Sequence, residues 1–240
     1  MALSEKRILL IETSGRCGQV GAATGRDLIA HRELDPTRTH AQDLAPAIKS
    51  VLGDAGWTAR GLAAVFVSAG PGSYTGLRVG VMAAKALAYA VKCDFLAVET
   101  FAAIAARCPP SATTLQVVSD GQRRLLYIQS FARSGETAWT PATELRIVAK
   151  DDWLRALGPD NLLSGPGLSL VESALPPGVR AVPAKERDAD LRGLLLAGLA
   201  RYERGERDDP WRCEPLYLRR SSAEETWDRK HAEPSGPACS

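Results

Sequence analysis

The chain has 240 residues, 45% hydrophobic and 24% charged, which excludes a disordered chain, a collagen-like repeat and a disulfide-framework miniprotein. Thirty Lys and Arg against 28 Asp and Glu give a net charge of +2, with no basic block of the kind that grips nucleic acid unaided. Five cysteines (Cys17, Cys93, Cys108, Cys213, Cys239) show no C-x-x-C spacing, and His31, His40 and His231 form no H-x-x-x-H pair. Reduced thiols are therefore expected, with no metal site and no cofactor. No apolar run reaches the length of a signal-peptide core or a membrane span, so the expected location is cytoplasmic, with no membrane partner.

In chain order, short apolar runs at 7–12, 19–23 and 28–34, separated by Gly and Ser turns, predict three hairpin-joined strands. Leu44, Ile48, Val51, Leu52 and Ala55 then fall at helical spacing, with Pro46 tolerable only near the start of that helix or at a kink. The continuous run 63–68 predicts a strand buried on both faces. A Gly-rich loop (69–76), a long helix (75–92), a strand (95–98) and a short helix (99–107) follow. Cys108 to Ser111 reads as a linker. Beyond it the hairpin pattern returns: strands at 115–119 and 125–131 around a turn at Asp120-Gly121-Gln122, a turn near 134–136, and a strand at 143–148. A helix over 151–157 is expected to be capped by Asp151 or Asp152, followed by a strand at 161–163, the Gly165-Pro166-Gly167 loop and a helix over 192–204. The two halves open alike, which predicts duplicated topology. The expected division is 1–107, 108–220 and a disordered tail at 221–240.

The loop at 69–76 precedes a helix, as phosphate-binding loops do. However, Thr75 stands where G-x-G-x-x-G needs its third glycine, and no lysine completes a Walker pattern. Glu12-Thr13-Ser14 at the end of the first strand offers a carboxylate beside two hydroxyls, and equally reads as a turn. Asp120-Gly121 occupies the matching place in the second half. His40 has no visible partner for general-base work, and nothing resembles G-x-S-x-G, so no catalytic residue and no peptidase triad is assigned. Gly76, Gly80, Ala84 and Ala88 recur every fourth residue, a stripe of small side chains flanked by Leu77, Val81 and Leu87. Gly80 inside a helix costs roughly 0.8–1 kcal/mol relative to Ala, so a close contact is expected there. Periodicity leaves open whether that contact is within the chain or with another molecule.

Four segments together carry a family resemblance. Ile8-Leu9-Leu10-Ile11-Glu12-Thr13-Ser14, Arg38-Thr39-His40 ahead of Leu44, Ser68-Ala69-Gly70-Pro71-Gly72-Ser73-Tyr74-Thr75-Gly76-Leu77-Arg78-Val79-Gly80 and Pro215-Leu216-Tyr217-Leu218-Arg219 resemble the TsaB (YeaZ) family over about residues 7–220. The resemblance implies an α/β protein of the actin/hexokinase/Hsp70-like (ASKHA) fold with two subdomains of duplicated topology. It implies a scaffold and dimerisation subunit for a TsaD-like transferase, joined by a TsaE-like ATPase, in forming N6-threonylcarbamoyladenosine beside the tRNA anticodon. Contact with tRNA would come only through that complex, and the isolated chain would pair with itself. The implied partner-binding residues are Leu44, Ile48, Leu52, Gly76, Leu77, Gly80, Ala84 and Leu87. A nucleotide set of Glu12, Thr13, Ser14, Asp120, Gly165 and Gly167 is the alternative, for a stand-alone ATP-binding or ATP-hydrolysing enzyme. Glu12 stands where the family has Asp, and Leu125 where it has a carboxylate.

Overall fold

The computed structural model describes residues 5–35, 40–109, 112–134 and 138–216. The expected turn at 134–136, the Tyr217–Arg219 end of the closing segment, the Arg38-Thr39 part of its motif, the side chain of His40 and the tail at 221–240 lie wholly or partly outside the described residues.

Strands β1 (Arg7–Glu12), β2 (Gln19–Thr24), β3 (Asp27–Glu33), β4 (Ala64–Gly70) and β5 (Asp94–Glu99) form one sheet in the order β3-β2-β1-β4-β5. β1 pairs antiparallel with β2 and parallel with β4, and β4 pairs parallel with β5. Strands β6 (Thr114–Asp120), β7 (Leu125–Ser134), β8 (Ala138–Pro141), β9 (Arg146–Ala149), β10 (Asn161–Ser164) and β11 (Arg180–Ala181) form the second sheet. Its order from the β8 end is β8-β7-β6-β10-β11, with β9 also on β7, and its parallel and antiparallel pairings repeat those of the first sheet. The duplicated topology is thus that of the actin/hexokinase/Hsp70-like fold.

The helices are α1 (His40–Asp54), α2 (Tyr74–Val91), α3 (Thr100–Arg107), α4 (Lys150–Ala156) and α5 (Leu191–Glu203). Alternation along β1 sorts them. Leu9 and Ile11 face a layer with Leu44, Val51 and Leu52 of α1 and Val81, Ala84 and Ala88 of α2. Ile8 and Leu10 face the opposite layer, with Ala103 of α3 and Leu194, Leu195, Leu199 and Tyr202 of α5. Phe101 and Ile104, on the other side of α3, pack with Leu115, Val117 and Phe131 of the second sheet, so α3 is buried between the two halves.

Three expectations change. α5 packs on the first sheet, so the chain returns across the division placed at residue 108. α4 is preceded by Ala149 with no side-chain cap, while Asp151 and Asp152 sit within its first turn, where they favour the positive end of the helix without capping it. Pro46 lies well inside α1 rather than at its start, exposed, where the missing N–H leaves one carbonyl of the preceding turn without its helical donor. At α5 the cap is conventional: the Asp190 carboxylate accepts from Gly193 N at 2.7 Å.

The segment after α5 covers one edge of the first sheet. Asp208 N donates to Phe95 O, Ala97 N donates to the Asp208 carboxylate, and Arg201 Nη1 donates to Ala97 O. It then crosses α2, where Lys85 Nζ donates to Cys213 O, and ends with Leu216 N donating to Ala69 O. Among the described residues no helix is long and apolar enough to cross a membrane.

Candidate functional site

β1 and β4, both interior strands, deliver Glu12 and Ser68 side by side into the core. Glu12 is 1% exposed. Its Oε1 accepts from Ser14 N at 2.6 Å and from Ser14 Oγ at 2.5 Å, and Thr13 N donates to Ser68 Oγ at 3.1 Å. Its Oε2 and the Thr13 hydroxyl have no partner. Burial raises the Glu12 carboxyl above the ordinary carboxylate range, against the opposing pull of hydrogen bonds from Ser14 and Ser68, and the negative charge of Asp190 adds to the rise.

The glycines of the loop and of α2 close over this turn. A Cβ on Gly72 would stand 2.5 Å from Ser14 O, one on Gly76 2.1 Å from Thr13 O, and one on Gly80 2.1 Å from Thr13 Oγ1. Ser73 N donates to Ser14 O at 2.7 Å. The stripe of small residues therefore admits the chain's own β1 turn at backbone distance, and this contact offsets the cost of Gly80.

The second half repeats the device. Gly165, at φ 104°, would put a Cβ 2.2 Å from Val118 O, and Gly167 would put one 2.7 Å from Ser119 Cα. Asp120 is exposed, and its Oδ1 accepts from Gln122 N at 2.7 Å. Three consecutive non-glycine residues, Gln122, Arg123 and Arg124, hold φ of 61°, 51° and 66°. Among the described residues no three His, Cys, Asp or Glu side chains gather as a metal site. Of the nucleotide set, Glu12, Thr13 and Ser14 are buried, with the Thr13-Ser14 turn occupying the space beside Gly72, Gly76 and Gly80, while Asp120 is exposed.

The opposite face of α2 is open. Met82 and Tyr89, seven residues apart and so on one face, are 63% and 64% exposed, and Ala86 is exposed between them. Trp211, 72% exposed, packs its ring edge-on to Tyr89 at 5.1 Å between centroids. On α1 the outward residues include Ala45, Pro46 and Lys49.

Residues 29–157 match the family model of TsaD, tRNA N6-adenosine threonylcarbamoyltransferase, which is more than half of the chain. The chain is 29% identical over 218 residues to an uncharacterized protein of Mycobacterium tuberculosis, covering 90% of this chain and 93% of that one. It is 30% identical over 120 residues to the tRNA threonylcarbamoyladenosine biosynthesis protein TsaB of Bacillus subtilis, covering 50% of this chain and 52% of that one. The structure of YeaZ from Pseudomonas aeruginosa superposes with a TM-score of 0.76 at 23% identity, over 89% of this chain and all of that one. The chain belongs to the TsaD-like proteins, in the TsaB (YeaZ) family.

For this TsaB-family chain the geometry revises both residue sets read from the sequence. Leu44, Leu52, Gly76, Leu77, Gly80 and Ala84 are buried in the chain's own interior, and Ile48 and Leu87 are half-buried against the same layer. The six buried residues cannot meet a partner without unfolding, so the interface assignment fails for them, whereas Ile48 and Leu87 keep part of their surface in solvent. The structure brings Glu12, Thr13 and Ser14 together, but as a buried turn, while Asp120 sits on an exposed one. Met82, Tyr89 and Trp211 were missed. The signal for the first two was present, because Met82 and Tyr89 fall among Arg78 and Lys85 on the side of α2 away from the glycines.

Proposed function

We propose that this TsaB-family chain is a non-catalytic subunit in the formation of N6-threonylcarbamoyladenosine in tRNA. It docks on a TsaD-like transferase subunit through the outward faces of α1 and α2. The observation that carries the reading is the contrast across α2: its inner face is consumed by the chain's own turn at Thr13 and Ser14, and its outer face presents Met82, Ala86 and Tyr89 extended by Trp211. Exposed aromatic and Met side chains are the residue types that dominate protein interfaces. In this reading a TsaE-like ATPase and tRNA are reached only through the complex, and the isolated chain pairs with itself through the same surface.

The test is mass measurement of complexes formed with the TsaD-like protein of the same genome. A double variant, Met82→Glu with Tyr89→Glu, is expected to lose the complex while its urea midpoint stays within the range that corresponds to about 0.5 kcal/mol, as for surface substitutions. A complex that survives both charges would sink the docking assignment. The alternative of a stand-alone ATPase is disfavoured by a carboxylate that is buried and whose pKa burial raises. Saturable Mg-ATP binding by the isolated chain in calorimetry would revive it.

A further inference from the structure

The outward residues of α2 recur at the alternating spacing of three and four at which one helix lies along another: Thr75, Arg78, Met82, Lys85 and Tyr89. Cationic and large apolar side chains therefore alternate along one line. Arg78 is exposed, with Nη1 donating to the Tyr74 hydroxyl at 2.9 Å and Cζ standing 5.1 Å from that ring. Lys85 is half-buried, and its Nζ donates to Cys213 O at 2.9 Å, a neutral acceptor that leaves its charge unanswered. Lys49 is exposed on the outward side of α1. Among the described residues none of these three cations is in an ion pair.

The acids nearby are already matched. Asp43 accepts from Asp35 N, Asp54 pairs with Arg32, and Asp209 accepts from Trp211 N and pairs with Arg212. Glu214 lines the cleft between α3, α5 and β8. The face of Met82, Tyr89 and Trp211 is thus apolar at its centre and positively charged along its length.

On the docking reading of α2 given above, we propose that the partner seats a helix along α2 whose carboxylates lie opposite Arg78 and Lys85 and whose apolar side chains cover Met82 and Tyr89, and that the same two cations make a second copy of this chain the weaker occupant. Carboxylates meet both cations through charge-assisted hydrogen bonds, bidentate at Arg78, while the Arg78 and Lys85 stems extend the apolar surface. Two copies meeting along α2 would instead bring two Arg78 and two Lys85 into one interface with no carboxylate set against them, and like charge in a desolvated contact opposes association. The charges therefore select between partners, whereas Met82, Tyr89 and Trp211 supply contact area to either. Met82 at the centre of the face, and the rings of Tyr89 and Trp211 packed edge-on, suit the apolar side chains of a protein helix rather than stacked bases, so the matching anion is carboxylate rather than phosphate.

The test is a salt series on the full-length chain, alone and with the TsaD-like protein of the same genome. Between about 50 and about 500 mM NaCl the wild-type heterocomplex is expected to weaken about tenfold as opposite-charge attraction is screened, while self-association in sedimentation tightens as its repulsion is screened. Arg78→Gln/Lys85→Gln, which keeps a hydrogen-bond donor at each place, is expected to weaken the heterocomplex about tenfold at low salt and to flatten its salt response. The same variant is expected to self-associate roughly threefold more tightly. A structural defect would weaken both associations, so loss on one side with gain on the other is the signature. The proposal is overturned if the variant binds the TsaD-like protein as tightly as wild type, if its self-association does not rise, or if tRNA binds the isolated wild-type chain saturably and the variant does not, which would assign the cations to phosphates. Each of these results leaves the docking reading standing when Met82→Glu with Tyr89→Glu abolishes the complex. A complex that survives that second variant brings down both.

Discussion

The two halves of the molecule build the same strand-turn-strand unit and treat its turn in opposite ways. In the first half the chain after β4 runs into the 18-residue α2, whose glycine face lies on Thr13 and Ser14 and seals Glu12 beneath it. In the second half the chain after β10 makes only short 3-10 turns, Pro166–Leu170 and Glu172–Ala174. Gly165 and Gly167 there press on Val118 and Ser119, and Asp120 stays in solvent. Duplicated topology therefore fixes where a turn occurs, while the length of the following crossover decides whether it becomes a site, a plug or a surface loop.

Substitutions at matching positions would break or sharpen this contrast. The largest effect is expected at the sealed turn. Gly76→Ala and Gly80→Ala each put a methyl 2.1 Å from Thr13 atoms, and should destabilise by about 2–3 kcal/mol in urea unfolding, as overpacked sites do. Gly76 should suffer more, because it meets a backbone carbonyl, whereas Gly80 meets a hydroxyl. A Gly80→Ala chain as stable as its parent would mean that α2 does not rest on Thr13.

The next contrast is in pH. Because the folded Glu12 carboxyl titrates above its unfolded value, the native state holds more protons than the unfolded chain between those two values. Stability from this group is full below the unfolded value, about 4.3 for Glu, and is lost as pH rises through the folded one. Glu12→Gln, neutral throughout, is expected to remove that decline from urea midpoints measured between pH 5 and 8. Asp120→Asn keeps an acceptor for Gln122 N and should change stability by less than about 0.5 kcal/mol. A gain rather than a loss is expected from Gln122→Gly at φ 61°. It relieves one left-handed residue and should stabilise by up to about 1 kcal/mol, with no counterpart to gain in the first turn.

Much of the fold was legible because burial leaves a periodic trace. The runs at 7–12 and 63–68 lack polar interruption because β1 and β4 are interior strands, and their positions were read to within two residues. β8 and β11 were not foreseen. They are four and two residues long, too short for alternation to register. Asp151 and Asp152 were misread as caps since an acidic residue suits both the cap and the first turn of a helix.

The candidate site was legible in its parts and not in its orientation. The four-residue recurrence of Gly76, Gly80, Ala84 and Ala88 says that something approaches α2 closely, and something does. The Gly121 and Gly165 turns likewise mark where the chain doubles back. By itself the amino-acid sequence determined the elements, their duplication and the existence of a tight contact on one stripe of α2. Only the tertiary structure decided that the stripe faces Thr13 and that Met82 and Tyr89 therefore face out. Helical spacing fixes how residues are arranged relative to one another around an axis. The direction that axis presents to the sheet is set by contacts between residues far apart in the chain, such as Gly80 with Thr13, which no local pattern records.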